Sequence, residues 1–511
     1  MRSFLPLFLA AAAGLVAPEA VSANSLPARH VALQAKHQAI ARDMSSNRIE
    51  KRYPPDWDGT ATYTPTTTPA YLASQTPSST SSTAAAGATT TPAPSGAYDP
   101  ANQPSRALVA ATTSSATTCA PAYVAPTVIS GTGTLPKPTS FVRKQAARSS
   151  QLVGDGNLPY RIVGPNMYWL CQDENYGPIG SYTDKGRVRE AMAIAVAMGA
   201  NTIRVLSCGI SVGTNVGNVY NFEPTYGTFN DAAMDIRDYV LYAAREYGLR
   251  VIMTMTDNYD YYHGGKYQFL DFRRASRDNK GAAFYSNRAV INAYNNYVYR
   301  FLTRVNTYTG VEYRNDPTIL AWETGNELGG YINAEQWPTN YWITSVIAAI
   351  AKYDQNHLII DGTNGFWNYS TNAISDGLKN RGVDIVTDHG YPRNLGILNK
   401  EIALAQTYFK GFFIGEYDWT STNSATSLDS YLAAIEGAGT FLGDMIWNVM
   451  AHDSECCAFV SHNDGYSAYY PNGNSAADQV NLLKVVQHWY KVTGRTQPTQ
   501  LPAVACPQPV F

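Results

Sequence analysis

The sequence predicts an α/β fold, a (β/α)8 TIM barrel, preceded by a disordered stalk rich in serine, threonine and proline. From about residue 141 onward, eight short apolar runs alternate with longer segments whose apolar residues recur at helical spacing. Eight such repeats in succession favour a closed parallel barrel over an open doubly wound sheet. The first strand is not followed by Gly-x-Gly-x-x-Gly, which further disfavours a dinucleotide-binding sheet.

The predicted elements follow one another as βα units along the chain. In the first helix, apolar residues at positions 188, 191, 192, 195 and 196 share one face. The strands are predicted at 161–170, 201–206, 249–254, 318–322, 357–360, 383–387, 411–415 and 443–447. The helices that follow them are predicted at 187–198, 232–247, 287–308, 341–353, 372–379, 400–408, 428–436 and 476–492, the fifth with the weakest pattern.

Composition narrows the class of ligand. The 511 residues contain 38 Lys and Arg against 40 Asp and Glu, so the net charge of −2 offers no electrostatic footprint for nucleic acid or an anionic membrane. Only 15% of residues are charged, whereas 36 Tyr and 9 Trp raise the aromatic share to 12%. This balance suits flat, neutral, hydroxylated ligands, of which carbohydrate is the obvious candidate.

The N-terminus predicts a secreted, extracellular protein. Residues 1–23 have a basic start, an apolar run over 4–16 and small residues ending at Val21-Ser22-Ala23, as in a signal peptide. No other stretch approaches the ~20 consecutive apolar residues that a membrane helix needs. In an oxidising compartment the six cysteines are expected to form disulfides, whose pairing the sequence leaves open. The adjacent Cys456 and Cys457 are expected to bond elsewhere, because a vicinal disulfide is strained.

Three further segments follow the signal peptide. Residues 24–52 end in Lys51-Arg52, which is either a dibasic propeptide site or an ordinary basic pair on a surface. Residues 53–140 form the Ser/Thr/Pro-rich linker, which lacks the apolar periodicity needed to fold and is expected to be an O-glycosylated spacer. Residues 141–511 form the barrel domain.

Two glutamates lie at the predicted carboxyl ends of barrel strands. Catalytic groups of such barrels project from the carboxyl ends of the strands. Glu327 follows the fourth strand in Asn326-Glu327, and Glu416 ends the seventh in Gly415-Glu416. Although far apart in sequence, both strands end at the same barrel mouth. A pair of carboxylates in one pocket is what cleavage of a glycosidic bond requires.

Together these motifs resemble the retaining (β/α)8 enzymes of glycoside hydrolase family 5, which holds endo-mannanases and cellulases. The segments 166–170 and 316–323 are similar to those of fungal mannan endo-1,4-β-mannosidases. The resemblance spans residues 141 to about 495 and none of the stalk. Further positions that match the family are Arg204 in strand two, His389 and Tyr391 after strand six, and Trp447 at the end of strand eight.

The resemblance implies a role for each catalytic position. Glu327 would be the acid/base and Glu416 the nucleophile, with Asn326 binding the sugar 2-hydroxyl. Arg204 and Tyr391 would keep Glu416 ionised and oriented.

The remaining matched positions would serve binding. His389 would tune Glu327 or contact sugar, and Trp447 would be the floor of the subsite that holds the cleaved sugar. Trp169 and Asn258 are further candidates for sugar contact. Arg204, His389 and Trp447 also have structural alternatives, as an ion-pair residue, a buried histidine and barrel packing.

Departures from the family pattern bear on the substrate. Leu328 replaces the usual proline after the acid/base, and Leu206 replaces an aromatic residue that mannanases often carry. The family's histidine after strand three has no clean match, and Asn258 or His263 could stand in for it.

The expected function is therefore that of a secreted mannan endo-1,4-β-mannosidase. An endo-β-glucanase, or an exo-acting or transglycosylating enzyme of the same family, is the alternative. The intact pair of carboxylates argues against a non-catalytic carbohydrate-binding wall protein. We expect a monomer that acts on polysaccharide, with no cofactor, metal, nucleic acid or membrane partner.

Overall fold

A ring of eight parallel strands lies at the centre of the fold, which confirms the predicted TIM barrel. In chain order each strand pairs with the next, from β2 through β8, and β8 pairs with β1. A bridge between Asn166 and Arg204 closes the ring between β1 and β2. The strands are β1 Val163–Pro165, β2 Thr202–Val205, β3 Arg250–Thr254, β4 Ile319–Glu323, β5 Leu358–Asp361, β6 Ile385–Gly390, β7 Gly411–Tyr417 and β8 Leu442–Ile446.

The computed structural model describes the barrel domain almost completely. The described residues are 134–173, 175, 182–210, 221–260, 263–330, 337–420, 424, 426–439, 441–454, 457–462, 464–506 and 508. The predicted signal peptide, the predicted propeptide and most of the predicted linker lie outside them, as do Cys119 and Cys456. Within these ranges no helix combines the length and the apolar character needed to cross a membrane.

Each strand is followed by a helix on the outside of the barrel. Each of these eight helices begins with an N-cap Asp, Asn, Ser or Thr whose side chain accepts a backbone N–H of the first turn. Such a cap stabilises a helix by about 1 kcal/mol. The helices are α1 Lys185–Ala197, α2 Asp231–Tyr247, α3 Arg288–Leu302, α4 Asn340–Tyr353, α5 Asp376–Lys379, α6 Leu395–Thr407, α7 Leu428–Gly437 and α8 Ala476–Val492.

Two predicted helices are longer than the observed ones. The third ends at Leu302 instead of residue 308, because the side chain of Asn306 accepts the backbone N–H groups of Tyr308 and Thr309 and builds a turn. The fifth was expected over 372–379 but covers only Asp376–Lys379. Its first residues instead form the strand Ala373–Ile374, which pairs with Trp367–Asn368.

Smaller elements decorate the barrel. Short helices cover Ser207–Ile210, Gly265–Phe272 and Asp278–Gly281, and 3-10 turns cover Asp155–Asn157, Ala282–Tyr285 and Tyr313–Asn315. Val449–Met450 pairs with Ala468–Tyr469. A three-stranded antiparallel sheet of Arg143–Lys144, Leu152–Val153 and Pro159–Tyr160 precedes β1.

The antiparallel sheet closes the amino end of the barrel. Leu152 from this sheet and Val142, the residue just before it, join a buried apolar cluster with barrel residues such as Ile252 and Phe413. Leu152 lies beside Gly411, the first residue of β7, which places the sheet at the end of the barrel opposite the strands' carboxyl termini. The carboxyl end is therefore the one left for the chemistry.

Two disulfides link the described cysteines. Cys171–Cys208 joins the segments that follow β1 and β2, and Cys457–Cys506 ties the segment after β8 to the chain beyond α8. The expectation of disulfide bonding is thus confirmed for these four residues. Cys457 bonds away from its neighbour, as predicted.

A buried charge cluster fastens α8 to the barrel. Asp444 of β8 accepts hydrogen bonds from His488 Nε2 at 3.0 Å, Trp489 Nε1 at 2.9 Å and the Tyr417 hydroxyl at 3.0 Å. Burial opposes the charge of Asp444, but His488 and the hydrogen bonds outweigh it and lower the pKa of this carboxyl. Burial likewise opposes a charged His488, yet Asp444 and Glu436 raise the pKa of its ring.

The raised pKa of His488 predicts how stability depends on pH. Its contribution is fully present below about pH 6.5, the ordinary pKa of histidine, and is lost as the pH rises through the raised value. His488→Gln should lower the free energy of unfolding by about 2–4 kcal/mol at pH 6 and less above the raised pKa. Urea unfolding at pH 6 and pH 9 measures both. An equal loss at the two pH values would contradict a charged His488.

Candidate active site

The site residues selected from the sequence project from the carboxyl end of the barrel. Hydrogen bonds link most of them directly. Arg204 lies in β2, Asn258 follows β3, Asn326 and Glu327 follow β4, His389 lies in β6, Tyr391 follows it, Glu416 lies in β7, and Trp169 and Trp447 follow β1 and β8.

Arg204 is the centre of the hydrogen-bond network. Its Nε and Nη2 bind Glu323, the last residue of β4, at 2.8 and 3.0 Å. Its Nη1 donates to Asn166 Oδ1 at 2.9 Å and to Glu416 Oε1 at 3.1 Å, and Nη2 also donates to Asn326 Oδ1 at 2.8 Å. A guanidinium has five N–H donors. All five are therefore used, and the side chain is fixed in position and orientation.

The charge on Arg204 is secured by its partners. Burial disfavours the guanidinium, but Glu323 and then Glu416 outweigh this effect and raise its pKa above the ordinary value.

Tyr391 donates its hydroxyl to Glu416 Oε2 at 3.2 Å. Burial raises the pKa of Tyr391 well above its ordinary value, so the hydroxyl keeps its proton and remains a donor. Both oxygens of Glu416 thus face donors that favour the carboxylate.

Glu327 and Glu416 meet at His389. His389 Nδ1 lies 2.6 Å from Glu327 Oε1 and 3.5 Å from Glu416 Oε2. One oxygen of each carboxylate and a ring nitrogen all lie within 4.8 Å of one another. Glu327 and Glu416 therefore approach within 4.8 Å through one oxygen each. In retaining glycosidases the two carboxyl groups lie about 5 Å apart, and in inverting ones about 6.5–9.5 Å apart.

A bulge between β6 and β7 sets His389 opposite Glu416. The pairing shifts register after Asp388, which faces Ile414, so that His389 faces Glu416 and Gly415 is passed over. A Cβ at Gly415 would lie 2.8 Å from His389 Nε2 and 2.6 Å from Thr387 Oγ1. A side chain at this position would therefore displace the histidine, which explains why glycine precedes Glu416. Bulges commonly re-aim side chains beside active sites.

The backbone at Glu327 adopts a conformation that disfavours most residues. Its φ of 51° lies in the left-handed region, which costs roughly 1–2 kcal/mol for a residue with a Cβ. The neighbouring chain holds it there, because Leu328 N–H donates to Gly362 O at 2.9 Å and Leu328 O accepts from Asn364 at 3.0 Å. Leu328, which departs from the family's proline, is fully buried. Its side chain and backbone fix the loop that carries Glu327.

Asn258 supports the same loop from the other side. Its Oδ1 accepts the Gly329 N–H at 3.3 Å and Lys266 Nζ at 2.6 Å. The side chain thus ties the segment after β3 to the loop that carries Glu327. These contacts give Asn258 a structural role in holding the loop. Its predicted contact with sugar stays a prediction.

The two tryptophans of the prediction have different surroundings. Trp447 donates its indole N–H to Asp464 Oδ2 at 2.6 Å, and Tyr168 stacks on it with ring centroids 5.2 Å apart. Trp169 instead donates to Val449 O at 2.9 Å, and the guanidinium of Arg187 lies 3.8 Å from its ring centroid. Both contacts hold the ring of Trp169 in place, and its predicted contact with sugar stays a prediction.

Sequence reasoning overlooked several members of the network. Glu323 and Asn166 both bind Arg204, and Asp464 orients Trp447. Burial opposes the charge of Asp464, but His462 and several hydrogen bonds lower its pKa to about 2. Asp257 accepts a hydrogen bond from Asn326 Nδ2 at 3.0 Å. A position at a strand end was the available signal for Glu323 and Asp257, whereas Asp464 lies in a loop without a pattern.

The same site contains residue types that can bind metals. Glu327, His389 and Glu416 could each offer one ligand atom. However, Arg204 Nη1 already lies 3.1 Å from Glu416, so a positive charge stands where a cation would bind. In a second cluster, Glu190, His452 and Cys506, the cysteine is held in a disulfide and offers no thiolate. Neither donor set therefore suits a metal well.

Comparison with known proteins identifies the family of this chain. Residues 139–421 match the family model described as glycoside hydrolase family 5, β-mannosidase-like. Mannan endo-1,4-beta-mannosidase 1 of Oryza sativa subsp. japonica is 31% identical over 373 residues, covering 65% of this chain and 82% of the rice protein. Mannan endo-1,4-beta-mannosidase 7 of Arabidopsis thaliana is 28% identical over 281 residues, covering 51% of this chain and 60% of its own.

Solved structures share the fold. The endo-1,4-beta-mannanase from Rhizomucor miehei superposes with a TM-score of 0.56 at 21% identity, covering 70% of this chain and 100% of its own. The endo-beta-1,4-mannanase from Thermotoga petrophila gives a TM-score of 0.53 at 20% identity, covering 66% and 78%. At these identities the likeness concerns the fold alone. From the family match and the rice relative, this chain belongs to the β-mannosidase-like enzymes of glycoside hydrolase family 5.

Proposed function

We propose that the protein is a secreted, retaining endo-β-1,4-mannanase that hydrolyses linkages within mannan chains. The observation that carries the proposal is the pair Glu327 and Glu416, whose carboxylates meet within 4.8 Å beside His389. A separation near 5 Å suits a double displacement that retains the anomeric configuration. The names of the plant relatives, mannan endo-1,4-beta-mannosidases, support mannan as the substrate.

Glu416 is the nucleophile in this mechanism. Attack on the anomeric carbon requires an ionised carboxylate, and Arg204 and the Tyr391 hydroxyl both favour that form. The same contacts leave the carboxylate only a small range of orientation, which places it for attack. The bond from Glu416 Oε to the anomeric carbon forms as the bond to the leaving oxygen breaks.

Glu327 is the acid/base in this mechanism. In the first step it gives its proton to the leaving oxygen, and in the second it takes one from the water that hydrolyses the glycosyl-enzyme. The His389 contact at 2.6 Å serves both states, because an imidazole nitrogen can accept from the acid or donate to the carboxylate. Asn326 donates to the sugar 2-hydroxyl, and Trp447 forms the floor beneath the sugar.

Secretion and the stalk are part of the proposal. The N-terminal 23 residues would be removed as a signal peptide, Lys51-Arg52 would be a propeptide site, and the 53–140 segment would be an O-glycosylated spacer. The disulfides Cys171–Cys208 and Cys457–Cys506 support an oxidising compartment. Because one chain supplies the whole site, we propose that it acts as a monomer.

Replacing the two carboxylates should separate their roles. Glu416→Ala should lower turnover by at least ~10³-fold on every substrate, because the nucleophile is lost. Glu327→Ala should lose far less on an aryl glycoside whose leaving group needs no proton. Azide should restore Glu327→Ala with a β-glycosyl azide as product and give the α-glycosyl azide with Glu416→Ala.

Product analysis by proton NMR measures both configurations. Glu401→Gln, which changes a buried glutamate of α6, serves as the control for general effects and should keep wild-type turnover. Near wild-type turnover of both alanine variants would place the chemistry elsewhere.

A substrate panel tests the choice of polysaccharide. Purified protein should cleave mannan, glucomannan and manno-oligosaccharides in the interior of the chain, with little action on carboxymethylcellulose. Release of internal fragments of several lengths distinguishes endo from exo action. Strong cleavage of carboxymethylcellulose or β-1,3/1,6-glucan with mannan left intact would refute the substrate while sparing the mechanism.

A further inference from the structure

Asp257, directly beyond β3, has no part in the mechanism described so far. Its backbone forms a bridge with that of Asn326, the residue before the acid/base. Asn326 N–H donates to Thr256 O at 2.7 Å, and Asn258 N–H donates to Asn326 O at 3.0 Å. The segments after β3 and β4 therefore run side by side in fixed register, which brings the Asp257 carboxylate to the side-chain amide of Asn326.

The amide of Asn326 is clamped from both ends. Arg204 can only donate, so the atom that faces its Nη2 at 2.8 Å must be the amide oxygen. The amide nitrogen then faces Asp257 Oδ1, to which it donates at 3.0 Å. This arrangement excludes the flipped amide, which would set two donors against each other. Within the described residues, one N–H of the amide remains for a ligand.

Asp257 itself is held in place. The side chain is buried, and the backbone N–H of Tyr259 donates to its carboxylate. Lys266 N–H donates to Asp257 O at 2.8 Å, which fixes the backbone as well. Burial raises the pKa of Asp257 to about 7, with the Asn326 hydrogen bond opposing and Glu327 adding to the rise. In either protonation state the carboxyl keeps an oxygen that accepts the Asn326 N–H.

We propose that Asp257 is a positioning residue that, opposite Arg204, orients the amide of Asn326 toward the 2-hydroxyl of the sugar being cleaved off. The inference rests on the proposed function, in which Asn326 contacts that hydroxyl. Mannose and glucose differ in the direction of this hydroxyl, so the clamp contributes to how the site selects its sugar. A hydrogen-bonding site rejects a substrate without its partner group because buried polar atoms are left unpaired.

The test compares two aryl β-mannobiosides, one intact and one lacking the 2-hydroxyl on the sugar joined to the aryl group. In the wild type the ratio of their kcat/KM values should favour the intact substrate, because the analogue leaves the Asn326 amide without its partner. Asp257→Leu has similar size but no acceptor. It should lower this ratio by ~10-fold, mainly by reducing kcat on the intact substrate, since the contact strengthens in the transition state.

Two further variants separate orientation from folding. Asp257→Asn keeps an acceptor oxygen and should retain most of the wild-type ratio. Asp257→Ser is too short to reach Asn326 and should behave like Asp257→Leu if the leucine variant fails to fold. Asp384→Asn alters a partly buried aspartate that precedes β6 at the opposite end of the barrel, and it should leave the ratio unchanged. Thermal unfolding confirms that each variant is folded.

The outcomes separate this inference from the proposed function. If folded Asp257→Leu or Asp257→Ser loses activity equally on both substrates, or keeps the wild-type ratio, the positioning role is wrong. Removal of the 2-hydroxyl from mannose and from glucose gives the same sugar. The 2-deoxy compound therefore also serves as the analogue of the matching substrate with glucose joined to the aryl group. If the wild type prefers that glucose substrate, the mannan proposal fails. The ratio of its kcat/KM to that of the 2-deoxy compound then still tests Asp257.

Discussion

The guanidinium of Arg204, which projects from β2, joins groups in or just after three other barrel strands, β1, β4 and β7. Its five N–H donors bind Glu323, Glu416, Asn166 and Asn326, so the Glu416 carboxylate and the Asn326 amide are placed relative to one another by one rigid guanidinium. The arginine is fully buried, and removing one partner of a buried ion pair typically costs 3–5 kcal/mol. Stability of this end of the barrel and orientation of its chemistry therefore depend on the same contacts.

The barrel also fixes the site, because its strands bring segments that are distant in sequence to the same carboxyl end. A single register shift between β6 and β7 sets His389 opposite Glu416, and the left-handed backbone at Glu327 turns the other carboxylate toward the same ring. The left-handed backbone at Glu327 is strained, and the hydrogen bonds of Leu328 with Gly362 and Asn364 hold it in place. The small antiparallel sheet fills the amino end, and the disulfide Cys171–Cys208 joins the segments after β1 and β2 near the site.

Much of the fold was predictable because its signals are local. Apolar periodicity gave all eight strands and helices, and α8 was predicted with its observed limits. The extra turn expected in the third helix is absent because Asn306 accepts the backbone N–H groups of Tyr308 and Thr309, and its amide nitrogen donates to Asp238 O, a distant contact that the sequence pattern does not show. In the site, Glu327 and Glu416 were recognisable from strand-end motifs. Asp257 was not, since the hydrogen bond that relates this aspartate to the site forms only when the fold places Asn326 opposite it.

The central claim is that Glu416, held by Arg204, attacks the anomeric carbon. Trapping the intermediate with an activated 2-deoxy-2-fluoro-β-glycoside, followed by peptide mass spectrometry, tests it most directly. The fluorine slows both steps, and the good leaving group lets the covalent glycosyl-enzyme accumulate. We expect one label per chain, on the peptide that contains Glu416. A label on Glu327, on Glu323 or on any other carboxylate would contradict it.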